Sequence, residues 1–200
     1  MREQQPTTNK GLAFIKKNGF TIVMVAFFAL MIFSPDSKAW VLRQLMATGL
    51  FNAKIEEKAT TEAKTYDFTY ANEQGERLST ASLRGKVVFI NFWASWCPPC
   101  RAEFPSIEKL YQQYKNNPDV VFIMINQDDE AAAGKQYLDK EHFTFPMHRI
   151  DGPIANELYT GTLPTTIVLD KQGKIRLKHE GFADYSASKF MKQLDGLVQE

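Results

Sequence analysis

Hydrophobic and polar positions follow three regimes along this chain, and the first is apolar throughout. Residues 19–33 read GFTIVMVAFFALMIF, fifteen positions without a charge. Lys10, Lys16 and Lys17 precede the run, and the first acid after it is Asp36. Helical geometry gives 18–35 a length of about 27 Å, against a hydrocarbon core of roughly 30 Å. Lys17 and Lys38 can reach the headgroups, so 18–35 is expected to be one short transmembrane helix. Arg2, Lys10, Lys16 and Lys17 outweigh Glu3 before it. That bias puts 1–17 in the cytoplasm and exports everything after 35. A signal peptide ending at Ser37-Lys38-Ala39 is the rival, and it exports the same domain.

The second regime is amphipathic. Val41, Leu42, Leu45, Met46, Leu50 and Phe51 recur at helical spacing. They predict a helix lying on the bilayer, with Trp40 as an interfacial anchor; packing on the following domain is the alternative. Residues 52–65 are polar and read as a linker, so 36–65 is one interfacial helix plus tether.

From 66 to 200 the periods alternate. A short edge strand is expected over 66–70, followed by a turn at 72–75. Residues 87–93 (VVFINFW) are almost continuously apolar, as in a strand covered on both faces. Phe104, Ile107, Leu110, Tyr111 and Tyr114 mark a helix over 98–114. A strand over 120–125 and a helix over 130–142 follow. Strands over 165–169 and 174–180 flank the 170–173 turn, and 186–198 is a last amphipathic helix. The order predicts an α/β fold, a central mixed sheet with helices on both faces.

Composition narrows the function. With 24 basic and 23 acidic side chains the net charge is +1, which argues against a nucleic-acid surface. Two cysteines cannot build a disulfide-rich scaffold. They fall together in Trp96-Cys97-Pro98-Pro99-Cys100, between a buried strand and a helix. Cys97 would cap that helix, where free N–H groups and the dipole stabilise a thiolate. Pro98 suits a first helical position. Cys100, one turn on, is within reach of a disulfide. An outer thiolate that attacks a substrate disulfide and an inner thiol that resolves it need no metal or organic cofactor. A structural disulfide, a zinc site and inert thiols compete with this reading. The closed loop is too short to stabilise much, and His142, His148 and His179 lack ligand spacing and read as solvated.

Residues 92–105, FWASWCPPCRAEFP, resemble the active-site signature of the thioredoxin-like family, in particular its membrane-tethered, exported TlpA/ResA branch. The likeness runs from about Tyr66 to the end and includes Gly85-Lys86 and 161–166 (GTLPTT). It implies a thioredoxin-like fold and a membrane-anchored thiol-disulfide oxidoreductase. Cys97 and Cys100 would be its catalytic, redox-active pair. It further implies that Pro164 is cis and that the Leu163 backbone docks the substrate strand, with Trp96 lining the docking surface.

Cytosolic thioredoxins carry a buried aspartate where this chain has Asn91. The branch often supplies an acid from the end of the next strand, and alignment brings Gln127 nearest to it with Asp128 one residue on. These are the candidate proton relay. Arg101 and Glu103 read as solvated first-turn residues, and Trp93 as core.

The expected partners are disulfide-containing exported proteins, a transmembrane thiol electron donor and the membrane. The expected place is the bacterial inner membrane, single-pass, with the domain in the periplasm. The family includes reductants of apocytochromes c. A thiol peroxidase of the same fold would carry Pro and Thr or Ser where this chain has Ile90 and Ala94. A non-catalytic binding module has no use for an intact Cys pair.

Overall fold

The computed structural model describes residues 10–46, 48–55 and 65–200, with side chains at 10–17 and 30–33 excepted. The expected flank before residue 10 and the linker over 56–64 lie outside the described residues. Helix α1 spans Lys10–Phe33 and α2 spans Pro35–Met46, separated by Ser34. Strands β1 (Thr69–Asn72) and β2 (Arg77–Ser79) and a 3-10 turn (Thr80–Leu83) lead to β3 (Val87–Trp93), α3 (Pro98–Tyr114) and β4 (Val120–Asn126). Then come α4 (Ala131–Glu141), β5 (His148–Ile150), β6 (Thr165–Leu169), β7 (Ile175–Glu180) and α5 (Ser188–Gln199).

The strands form one mixed sheet in the order β2-β1-β5-β4-β3-β6-β7. β3 runs parallel to β4 and antiparallel to β6, so it is covered on both edges and both faces, and all seven of its residues are buried. Its period of two splits the core. Phe89 and Trp93 face a layer holding Phe104 and Ile107 of α3, Tyr137 and Leu138 of α4, and Phe190 and Leu194 of α5. Val88, Ile90 and Phe92 face the other side, which is closed by Phe68, Leu158 and Tyr159 rather than by helices. The expectation of helices on both faces is thus corrected: the segment between β5 and β6 does that work. β1 is an interior strand beginning at Thr69, not an edge strand over 66–70, because β2 covers its outer side.

The N-terminal regimes differ from expectation in two ways. Among the described residues no helix is long and apolar enough to cross a membrane. Within α1, Phe20, Val23, Val25, Phe27 and Phe28 are exposed. The amphipathic stretch packs on the domain. Ala39 and Met46 are buried against it, while Trp40 and Leu45 face outward. The first residues of the expected linker are docked too. Phe51 stacks on Phe182 with centroids 4.9 Å apart, and Ala53 and Ile55 are buried.

Candidate functional site

The C-terminal end of β3 delivers the chemistry. After Trp93 the chain leaves the sheet, turns through Ala94-Ser95-Trp96, and enters α3 with Cys97 as its N-cap. Pro98 and Pro99 occupy the first two helical positions, where their missing N–H groups cost no intrahelical bond. Cys97 and Cys100 are joined in a disulfide with Cα atoms 5.3 Å apart. The Cys100 N–H donates to Cys97 Sγ at 3.3 Å. Cys97 is 3% exposed and Cys100 fully buried, so the outer sulfur is the one solvent can touch. Trp93 is buried beside Phe104, while Trp96 is 61% exposed next to Cys97.

Register brings two other expected residues to the same end of the sheet. Thr165 pairs with Phe92, so Pro164 sits just ahead of β6 where β3 ends. The Leu163-Pro164 bond is cis, Pro164 is buried and Leu163 half-buried. The Gly181 N–H donates to Pro164 O at 2.9 Å. From the other side, Gln127 N–H donates to Trp93 O at 2.8 Å. Asp128, the candidate proton relay just past the strand end, is buried and tied to Ser95. Gln127 is half-buried, its side chain turned onto Asn126 O.

Two residues expected in solvent are core residues. Glu103 is fully buried: Asn91 Nδ2 donates to it at 2.7 Å and the Ala183 N–H at 3.3 Å. Burial pushes its carboxyl well above the usual range, and those two hydrogen bonds only partly offset the rise. It lies one turn beyond Cys100 on the sheet-facing side of α3. Asn91 also donates to Thr166 Oγ1 at 2.9 Å, joining β3, α3 and β6 in one polar contact. The signal was present in the sequence. A lone Asn in an all-apolar strand needs a buried partner, and Glu103 has the spacing to meet it.

Arg101 is 7% exposed. Its guanidinium pairs with Asp36 of α2 and lies 4.3 Å over the Tyr137 ring. Pro105 supplies no N–H to the carbonyl four residues back, that of Arg101. Arg43 of α2 fills the gap, donating to Arg101 O at 2.9 Å. The sequence distance of 58 residues hides this contact from local pattern.

His148, expected in solvent, is also buried. Its Nδ1 accepts the Met124 N–H at 3.3 Å, and burial lowers its pKa to about 4. His142 is exposed, as expected, and His179 is half-buried. Among the described residues no three His, Cys, Asp or Glu side chains are grouped to hold a metal ion.

The arrangement can cycle between a disulfide and a dithiol whose outer sulfur caps a helix. The Redoxin family profile matches residues 58–194. The chain is 31% identical over 145 residues to thiol-disulfide oxidoreductase ResA of Bacillus cereus, covering 72% of this chain and 80% of that protein. It is 33% identical over 137 residues to the thiol:disulfide interchange protein DsbE of Pseudomonas aeruginosa, covering 68% and 72%. A crystal structure of a thioredoxin-family thiol:disulfide interchange protein from Chlorobium tepidum superposes with a TM-score of 0.58 at 22% identity, covering 70% and 99%. The chain belongs to the Redoxin family, among thioredoxin-like thiol-disulfide oxidoreductases of the ResA type.

Proposed function

We propose that this oxidoreductase works as a reductase of exported protein disulfides, with Cys97 as nucleophile and Cys100 as resolving thiol. The Cys97 thiolate attacks a substrate disulfide, forms a mixed disulfide and releases one substrate thiolate. Cys100, after losing its proton, attacks Cys97 Sγ, closes the intramolecular disulfide and releases the second thiolate. Two electrons pass to the substrate. Glu103, buried one turn beyond Cys100 on the same helix, is the carboxyl assigned to take the Cys100 proton, which it accepts in its ionised form. Trp96 and the backbone at Leu163-Pro164, at the same end of the sheet, form the substrate platform.

The observation that carries the reducing direction is the cap itself. Pro98 and Pro99 bring no N–H to Cys97, and the bond it receives comes from Cys100. A thiolate with few donors is less stabilised, which makes the dithiol the better reductant. Equilibration with glutathione tests this. A potential well below that of the strong periplasmic oxidants, at about −120 mV, is expected, and a value near it overturns the direction. Insulin reduction driven by dithiothreitol, lost in Cys97→Ser, tests the activity itself.

Membrane anchoring through the N-terminal segment belongs to the same proposal. The charge-free run at 19–33, the lysines before it and the exposed apolar side chains of α1 support it. The domain then faces the periplasm, draws electrons from a transmembrane thiol carrier and reaches exported disulfides, apocytochromes c among the candidates. Full-length chain in carbonate-washed membranes is the expected result of fractionation; a shortened, soluble form would contradict it.

A further inference from the structure

Ser95 lies two residues before Cys97, inside the turn that carries the chain from β3 into α3. A backbone that turns between two buried elements must satisfy its N–H groups locally. Cys97 N–H finds Ala94 O at 3.2 Å. Both donors of Ser95 go to one carboxylate across the sheet end. Its N–H lies 3.1 Å from each Asp128 oxygen, and its hydroxyl donates to Oδ1 at 2.9 Å.

Asp128 is itself immobilised. Asn126 Nδ2 donates to its Oδ2 at 2.6 Å, and its own N–H reaches Asn126 Oδ1 at 3.3 Å. Arg149 of β5 donates to its backbone carbonyl at 2.9 Å. Behind Asn126 stands α4, at Gly134. A Cβ at that position would collide with the Asn126 amide, so the helix approaches this network as closely as a glycine permits. The carboxylate is buried, and each oxygen faces N–H or O–H donors. A proton placed on it would turn one acceptor into a donor aimed at a donor. That is a poor carrier and a good clamp.

We propose that Asp128 is the positioning residue of the redox loop: through Ser95 it holds Cys97 at the α3 cap and turns Trp96 outward. This rests on the dithiol function proposed above. Asp128 takes no proton in the cycle and touches no reacting atom. Without it the Ala94-Ser95-Trp96 turn loses three hydrogen bonds at once, Cys97 strays from the Cys100 N–H, and its thiolate loses that stabilisation.

The test uses the full chain carrying Cys100→Ala, so that one thiol reports, and follows the iodoacetamide alkylation rate of Cys97 against pH. Asp128→Ala is expected to lower the reactive thiolate at neutral pH about tenfold, and Ser95→Ala about threefold. Asp128→Asn keeps an oxygen for Ser95 and is expected to recover most of the loss. Gly134→Ala, which presses on Asn126 from outside the loop, is expected to act like Ser95→Ala. It keeps the proposal falsifiable if Asp128→Ala fails to fold. Unchanged alkylation in Ser95→Ala and Gly134→Ala overturns the proposal. So does an equal rise in Asp128→Ala and Asp128→Asn, which would mean that charge acts rather than placement. With Cys100 kept, a turnover pH profile that loses the same limb in Asp128→Ala and Asp128→Asn restores the relay and also overturns it. The unmutated chain is equilibrated with glutathione in parallel: its failure to exchange would sink the dithiol reading, not the clamp.

Discussion

On its sheet side α3 buries a carboxyl without a counter-ion; on its outer side it buries a guanidinium paired with a carboxylate. Glu103 is held by an asparagine amide and a backbone N–H, and burial drives it toward its neutral form. Arg101, two residues earlier, pairs with Asp36 and lies over Tyr137. The inner grip is built within the segment matched to the family, residues 58–194, and the outer grip needs positions 36 and 43 before it. The difference teaches that the folded unit around the dithiol is larger than the family match. α2 is part of the support of the active-site helix.

Glu103→Ala should cost most, because it leaves a cavity and strands the Asn91 amide and the Ala183 N–H. About 3 kcal/mol is expected in urea unfolding of the oxidised protein. A loss below about 1 kcal/mol would mean that water replaces the carboxyl and that the inner grip is weak.

Arg43→Ala should cost about 2 kcal/mol by leaving Arg101 O without a donor. Its control is specific. Pro105→Ala restores an N–H at 105, so the double variant should regain most of the loss. If Arg43→Ala and Pro105→Ala merely add, the arginine is not there for that carbonyl.

Two of the buried titratable groups, Glu103 and His148, give opposite slopes in stability against pH. Glu103 has a raised folded pKa, so its contribution is full below the ordinary carboxyl range and is lost as pH rises toward the folded value. His148 has a folded pKa lowered to about 4, so its contribution is full above the ordinary 6.5 and is lost as pH falls between these values. Each slope is bounded at about 1.4 kcal/mol per pH unit. Glu103→Gln should remove the first and His148→Gln the second. A flat difference profile in either case would contradict the assigned burial.

Asp36→Asn should matter least, about 0.5 kcal/mol, because Asp36 is largely exposed even though Arg101 is not. A loss above about 2 kcal/mol would show that the outer grip depends on charge rather than on the Arg101 carbonyl.

These two grips also mark what could be read from sequence. The β3 run, the helix at 98–114 and the paired cysteines at its start were legible because each is a local pattern. The family resemblance added the cis bond at Pro164. β5 has three residues and no period of its own, so it left no trace. Arg101 and Glu103 looked solvated because charged side chains on a helix usually are. Their burial depends on Asn91 across the core and on Arg43 and Asp36 far upstream. Asp128 was singled out for its position, but its burial and its three donors were not legible, because they come from a turn 33 residues away and from a neighbouring amide.

Trapping the mixed disulfide tests the central claim most directly. Reduced full-length chain carrying Cys100→Ala, mixed with insulin, should accumulate a dithiothreitol-sensitive adduct joined at Cys97, and the Cys97→Ala chain should accumulate none. Adducts formed equally well through Cys100, or none through Cys97, would contradict the assignment of Cys97 as the attacking thiol and Cys100 as its buried partner.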